Sequence, residues 1–188
     1  MAIVHRAELR PSKLELLAAW LPGCAWCDAE GPIERISAFR FDDPAGEVGL
    51  ETFIIGIGTA RFHVPLTYRA APLDGGVLVG QLEHSVLGTR WVYDGPSDPI
   101  YVSTIRDAIV DGARDVDMVL DDGTPVPRLE WWATAVGSGA DPDARTRALH
   151  VARRLPTDPP AGAPTLSATW LEQASAMTLV WLSDREEN

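Results

Sequence analysis

Residues 61–86 read R-F-H-V-P-L-T-Y-R-A-A-P-L-D-G-G-V-L-V-G-Q-L-E-H-S-V. Over Arg61–Arg69 the side chains alternate: Phe62, Val64, Leu66 and Tyr68 fall on one face, Arg61, His63, Thr67 and Arg69 on the other. Alternation with a period of two is the signature of a strand with one face toward a core. Pro65 cannot donate to a sheet ladder, so this strand is expected at an edge or at a bulge. Asp74-Gly75-Gly76 is a hairpin-type turn leading into a second strand-like run, Val77–Val86. A strand, a turn and a strand in close succession predict an antiparallel sheet rather than a β-α-β wind.

Working toward the N-terminus, Val48–Ile57 has a continuous apolar centre that suits burial on both faces. Glu34–Phe41 is a further strand, ended by Asp42-Asp43-Pro44-Ala45-Gly46. Ser12-Lys13-Leu14-Glu15 is a capping box, S-x-x-E, ahead of an apolar run. It starts a short helix through Trp20 or Leu21, stopped by Pro22-Gly23, with Leu14, Leu17, Ala18 and Leu21 on the buried face.

Toward the C-terminus, His84–Val110 joins a strand to a helix through a turn rich in Gly, Pro and Asp. Asp98 is the expected N-cap, Pro99 the first helical residue, and Gly112 the stop. Ile105, Ala108 and Ile109 form that helix's apolar side. Asp115–Leu120 and Val126–Val136 read as a hairpin across Asp121-Asp122-Gly123, and Gly137–Asp143 as a loop. Arg145–Leu155 fits strand or helix. Thr157–Pro164 is a Pro-rich extended connector, Leu166–Leu182 supplies one or two final strands, and Asp184–Asn188 a frayed tail. The predicted class is α+β, a curved, mostly antiparallel β-sheet packed against two helices. Residues 1–155 are expected to form the main domain, with 156–188 a connector and strand segment packing on it.

The formal charge of −11 repels phosphate backbones and anionic lipid, which argues against nucleic acid and membrane surfaces as partners. No apolar run reaches the ~18 residues of a membrane span and no signal-peptide pattern opens the chain, so a cytoplasmic location is expected. Cys24 and Cys27 form a C-x-x-C that follows a helix instead of preceding one, and two cysteines do not make a zinc site; two reduced thiols are the plainer reading. His5, His63 and His150 are scattered and read as surface residues.

The order of segments resembles the N-terminal cap domain of bacterial maltokinases and of related aminosugar kinases and trehalose-synthase-fused kinases. Trp20-Leu21-Pro22 followed by Trp26 looks like the family's L-P-x-x-R-W-F opening. Phe62-His63-Val64-Pro65-Leu66-Thr67-Tyr68-Arg69 is similar to its Y-Q-x-P-L strand, and Tyr93-Asp94 with Asp98-Pro99 and the helix after them to its Y-D-x-x-x-D-P segment. Glu172-Gln173-Ala174-Ser175 is a weaker echo of the E-Q-S-N-T-S element at the start of the kinase lobe. The family's arginine in R-W-F is Ala25 here, so that residue's role is not carried over.

Such kinases resemble other phosphotransferases, in which a lysine meets the phosphates and a distal lobe supplies an Asp base and Mg²⁺ ligands. Lys13 is the only lysine in this sequence, and no H-G-D, D-F-G or phosphate-binding Gly-rich segment occurs. Gly56-Ile57-Gly58 is a lone G-x-G, read as a bulge in a strand. The sequence as it stands leaves no room for a catalytic lobe, so the expectation is a non-catalytic, stand-alone cap-like protein that needs no cofactor. The resemblance implies a binding or regulatory role near maltose, trehalose or α-glucan metabolism, with a carbohydrate kinase or related enzyme as partner.

His84, Arg90, Trp91, Tyr93 and Asp94 are the candidate ligand-binding residues. An arginine can clamp a carboxylate or phosphate with two parallel hydrogen bonds, and Trp or Tyr can stack on a ring. Strand parity puts Arg90 and Val92 on one face, Trp91 and Tyr93 on the other. The plainer alternative is that Trp91 and Tyr93 anchor the core while Asp94 and Asp98 cap turns. Two further readings stay open: a small-molecule or minor enzymatic pocket near His84, Arg90 and Tyr93, and a homodimer built on an exposed strand and tryptophan face. Trp131-Trp132 would put one indole on each side of a strand. Acidic pairs at Asp115, Asp117, Asp121 and Asp122 lack EF-hand spacing and read as turn chemistry.

Overall fold

The antiparallel sheet forms, and its strands exchange partners in a way that local pattern does not reveal. A computed structural model describes residues 2–4 and 7–184. His5 and most of the 184–188 tail therefore lie outside the described residues. In chain order the elements are β1 (Ala2–Val4), β2 (Leu9–Arg10), α1 (Lys13–Trp20), β3 (Ile33–Asp42), β4 (Gly49–Ile57), β5 (Ala60–Arg69), β6 (Leu78–His84) and β7 (Gly88–Asp94). They continue with α2 (Pro99–Asp111), β8 (Met118–Leu120), β9 (Thr134–Gly137), β10 (Ala148–Val151), β11 (Arg154–Leu155), β12 (Thr165–Trp170) and β13 (Gln173–Ser183). Among the described residues, no helix is long and apolar enough to cross a membrane.

The main sheet runs β2-β6-β7-β5-β4-β3, with β11 branching from β5, and curls into an antiparallel half-barrel. A second antiparallel sheet runs β10-β13-β12-β9, so strands beyond residue 156 pair with strands before it. β1 and β8 form a parallel pair.

Each helix covers one side of this arrangement. The Ser12 capping box closes as expected, its hydroxyl accepting from Glu15 N–H while the Glu15 carboxylate accepts from Ser12 N–H. The buried residues of this stretch are Leu16, Leu17 and Leu21, not the full set expected: Ala18 is exposed. They pack on Phe53, Ile55, Phe62, Val64, Leu66, Leu82 and Val92 from one face of the half-barrel. On the opposite face Phe39, Phe41, Leu50 and Ile54 meet Tyr101, Ile105 and Ile109 of α2. Ala135, Leu166, Ala168, Leu179 and Leu182 of the smaller sheet join the same cluster. The α2 helix is thus sandwiched into the second core, and Gly112 ends it in the left-handed conformation expected of a C-terminal glycine.

Several local expectations change. Pro65 is in an interior strand, at the point where β5 changes neighbours. β11 pairs with Arg61 and Phe62, and β7 with Leu66–Arg69. Pro65 falls between these two ladders, where its missing N–H costs no hydrogen bond. The Asp74–Gly76 turn does not join a hairpin pair, because β7 inserts between β5 and β6; the true hairpin is β6–β7, closed at Ser85–Leu87. Gly58 belongs to the two-residue turn between β4 and β5, where its positive φ of 56° serves the turn, and not to a bulge. Of the expected Val126–Val136 strand only Thr134–Val136 forms, as part of β9, which takes in Gly137 from the expected loop and pairs with β12. The stretch 145–155 begins in the last residues of a short 3-10 helix, Pro142–Thr146, and continues as the strands β10 and β11. Trp131 and Trp132 are in no strand: both are half-buried and packed edge to face with ring centres 5.6 Å apart, and the Arg35 guanidinium lies 3.8 Å from the Trp131 ring centre.

Gly137 is where β9 meets α2. A Cβ built there would stand 1.9 Å from the Ala108 carbonyl oxygen, an obstruction of backbone and not of a mobile side chain. Gly137→Ala is expected to destabilise the protein by roughly 3 kcal/mol or more. Urea unfolding followed by far-ultraviolet circular dichroism measures this, with Gly139→Ala a poor control because of its positive φ and Gly23→Ala a suitable one.

Candidate functional site

The β7 strand separates the sequence-predicted residues as its parity requires. Arg90 stands opposite Leu82 on the α1 side, whereas Trp91 and Tyr93 point to the other face. His84 ends β6, and its ring Nδ1 accepts from the N–H groups of Val86 and Leu87 at 3.2 and 3.1 Å, which holds the β6–β7 turn. His84 and Arg90 both line a concave cavity of about 620 Å³. Trp91, Tyr93 and Asp94 do not.

Tyr93 is 3% exposed, and its hydroxyl accepts from Leu73 N–H at 2.7 Å. A Cβ on Gly76 would stand 2.7 Å from the Tyr93 ring, so the ring fixes the loop before β6 and has no free face there. Asp94 is buried and ion-paired with Arg153. Burial raises its carboxyl above the ordinary range, with Arg153 pulling the other way. The Arg153 guanidinium also lies over the Trp26 ring at 4.7 Å. This pair ties the end of β7 to the segment between β10 and β11.

His63, expected on the surface, is fully buried beside that segment. Its Nδ1 donates to the Ala152 carbonyl at 3.0 Å, and desolvation, aided by the Arg153 charge, pushes its pKa down to about 3. It is a neutral core histidine. Cys24 and Cys27 are free and half-buried, and burial, with Asp94 nearby, pushes the Cys24 thiol up to about 11. A thiol so shifted is a poor nucleophile at neutral pH.

The cavity draws its other groups from distant segments: Lys13 at the start of α1, Arg40 on β3, Tyr68 on β5 and Leu82 on β6, with the β3–β4 loop as one wall. Lys13 is ion-paired with Glu51 and lies 5.2 Å from the Tyr68 ring centre. Burial works against the charge of Glu51, and the neighbouring Lys13 and Arg40 outweigh it to keep the carboxyl below its usual range. Asp43 folds the loop wall onto itself by accepting from the N–H groups of Ala45, Glu47 and Val48. Sequence reasoning missed Lys13, Arg40 and Tyr68. Only the strand pairing, which sets Arg40 opposite Glu51, brings them together.

Asp98 has a larger part than a cap. Fully buried, it accepts from Ile100 N–H at 2.9 Å, from the Thr67 hydroxyl at 2.8 Å, and from Arg69 through two nitrogens at 2.7 and 2.6 Å. The polar face of β5 is thereby bound to the first turn of α2. The sequence held this signal: Thr67 and Arg69 share a face, and a buried N-cap aspartate requires partners.

Residues 20–98 match the family model of the maltokinase N-terminal cap domain. The matched segment covers β3–β7 and stops at Asp98, so this part of the chain is similar to that cap; α2 and the smaller sheet lie beyond it. No kinase catalytic domain is matched. No curated protein and no solved structure matches the chain.

The Asp98 carboxyl is held below its ordinary range: burial opposes its charge, but the hydrogen bonds from Arg69, Thr67 and Ile100 prevail. A carboxyl lowered on folding adds stability that is present above its unfolded pKa, near 3.9, and is lost as pH falls through the lower folded value. Asp98→Asn keeps a capping side chain but removes the charge facing Arg69, and is expected to cost roughly 3 kcal/mol at neutral pH. Denaturant unfolding between about pH 5 and pH 2 should show a shallower acid loss in the variant than in the parent.

Proposed function

We propose that this chain is a non-catalytic cap-like module that docks on a carbohydrate kinase or a related enzyme of maltose, trehalose or α-glucan metabolism. The observation that carries this reading is the match of residues 20–98 to the maltokinase cap and to no catalytic domain. The state of the lysine supports it. Phosphoryl transfer in such enzymes requires a cation on the phosphates, whereas the chain's single lysine, Lys13, precedes the matched segment and is bound to Glu51. The five candidate residues also do not converge into one reaction centre, since Tyr93 and Asp94 are committed to packing and to Arg153.

Docking, on this reading, uses the module's outer surface, while the two cores hold its shape. Purified protein incubated with Mg²⁺, ATP and maltose should transfer no phosphate. Tagged protein recovered from its native cells should bring down a carbohydrate-metabolising enzyme, identified by mass spectrometry and confirmed with the two purified proteins. Phosphorylation of maltose, or recovery of no such enzyme together with no melting-temperature shift from maltose, trehalose or their phosphates, would overturn the proposal.

A further inference from the structure

The cavity between α1, the β3–β4 loop and the β6–β7 hairpin carries an inference separate from docking. Its charged groups differ in how far they are already satisfied. Lys13 and Glu51 neutralise one another, Asp43 is spent on loop N–H groups, and Asp42 at the rim has a partner of its own. Among the described residues, neither Arg90 nor Arg40 has a carboxylate within ion-pair distance. The Arg90 guanidinium donates one bond, to the Thr89 carbonyl at 3.2 Å. The Arg40 Nε is buried without a hydrogen-bond partner, and the Tyr68 hydroxyl is buried with the Glu51 carboxylate as its acceptor. Two half-buried arginines lining one hollow, neither paired with a carboxylate among the described residues, form an arrangement that an oxygen-rich anion completes.

The remaining wall is apolar. Leu9 and Leu82 line the cavity, and Leu87 stands at its edge 42% exposed, next to Val86 at 56%. At about 620 Å³ the hollow exceeds the needs of inorganic phosphate and falls within the range of small-molecule sites. We propose that this cavity binds an organic oxyanion, a carboxylate or phosphate monoester on an apolar body, with Arg90 clamping the head group, Arg40 adding its positive charge, and the Leu9–Leu82–Leu87 wall taking the body. The flat guanidinium fork suits both kinds of head group, because each offers two oxygens at matching spacing.

Phenyl phosphate and 3-phenylpropionate separate the two head groups, and 3-phenylpropanol supplies the apolar body without charge. Isothermal titration at fixed ionic strength should give saturable binding of at least one anion with Kd near or below about 1 mM, and binding of the alcohol at least about tenfold weaker. Arg90→Gln should weaken the anion roughly tenfold or more, and Arg90→Lys should fall between, keeping charge but losing the fork. Amide shift mapping on the unaltered protein provides a readout independent of the variants: the anion should move Leu82, Arg90 and Tyr68. The proposal is overturned by no saturable anion binding below about 10 mM, by equal binding of the alcohol, by an unchanged Kd in a folded Arg90→Gln protein, or by shifts that map elsewhere.

Discussion

A buried carboxylate, Asp98, joins the end of the half-barrel strand β5 to the start of α2. It caps α2 through Ile100 N–H while accepting from Thr67 and, through two nitrogens, from Arg69 on β5. Removing such a charge from water is expensive unless its oxygens are filled, and these are. The consequence is geometric: the start of α2 is fixed against the end of β5, so the helix must run across the face that bears Phe39, Phe41, Leu50 and Ile54. The smaller sheet then closes over the helix, with Gly137 allowing β9 to touch the α2 backbone.

A second polar joint reinforces the first. Asp94, four residues earlier, pairs with Arg153, and the neighbouring His63 bonds the Ala152 carbonyl. Together these contacts give both aspartates a structural part. They hold β5, β7, α2 and the 152–154 segment in one frame. The Asp94 carboxylate keeps an oxygen without a partner, and Asp98 does not, which fits the opposite directions of their pKa displacements.

Much of this frame was legible in the residues. The Ser12 box, the Asp98-Pro99 start and the Gly112 stop are local signals with local causes, and each stands where it was read. Alternation located β5, and unbroken apolarity located the doubly covered β4. Long-range pairing was not legible, because a period of two reveals faces and not neighbours. Hence Pro65 suggested an edge when it sits at a change of partners, and Asp74–Gly76 suggested a hairpin that β7 in fact interrupts. The candidate residues fared likewise. Parity correctly split Arg90 from Trp91 and Tyr93, but the groups that share a hollow with Arg90 come from Lys13, Arg40 and Tyr68, which only the assembled sheet and α1 bring together.

The account rests on the Asp98 joint making β5 and α2 one cooperative unit, and native-state amide hydrogen exchange across a denaturant series tests this most directly. The account predicts that amides of Ile105–Ile109 in α2 and Phe53–Ile55 in β4 exchange through openings within about 1 kcal/mol of global unfolding. Exchange of the α2 amides through an opening several kcal/mol cheaper, with the half-barrel still protected, would contradict it.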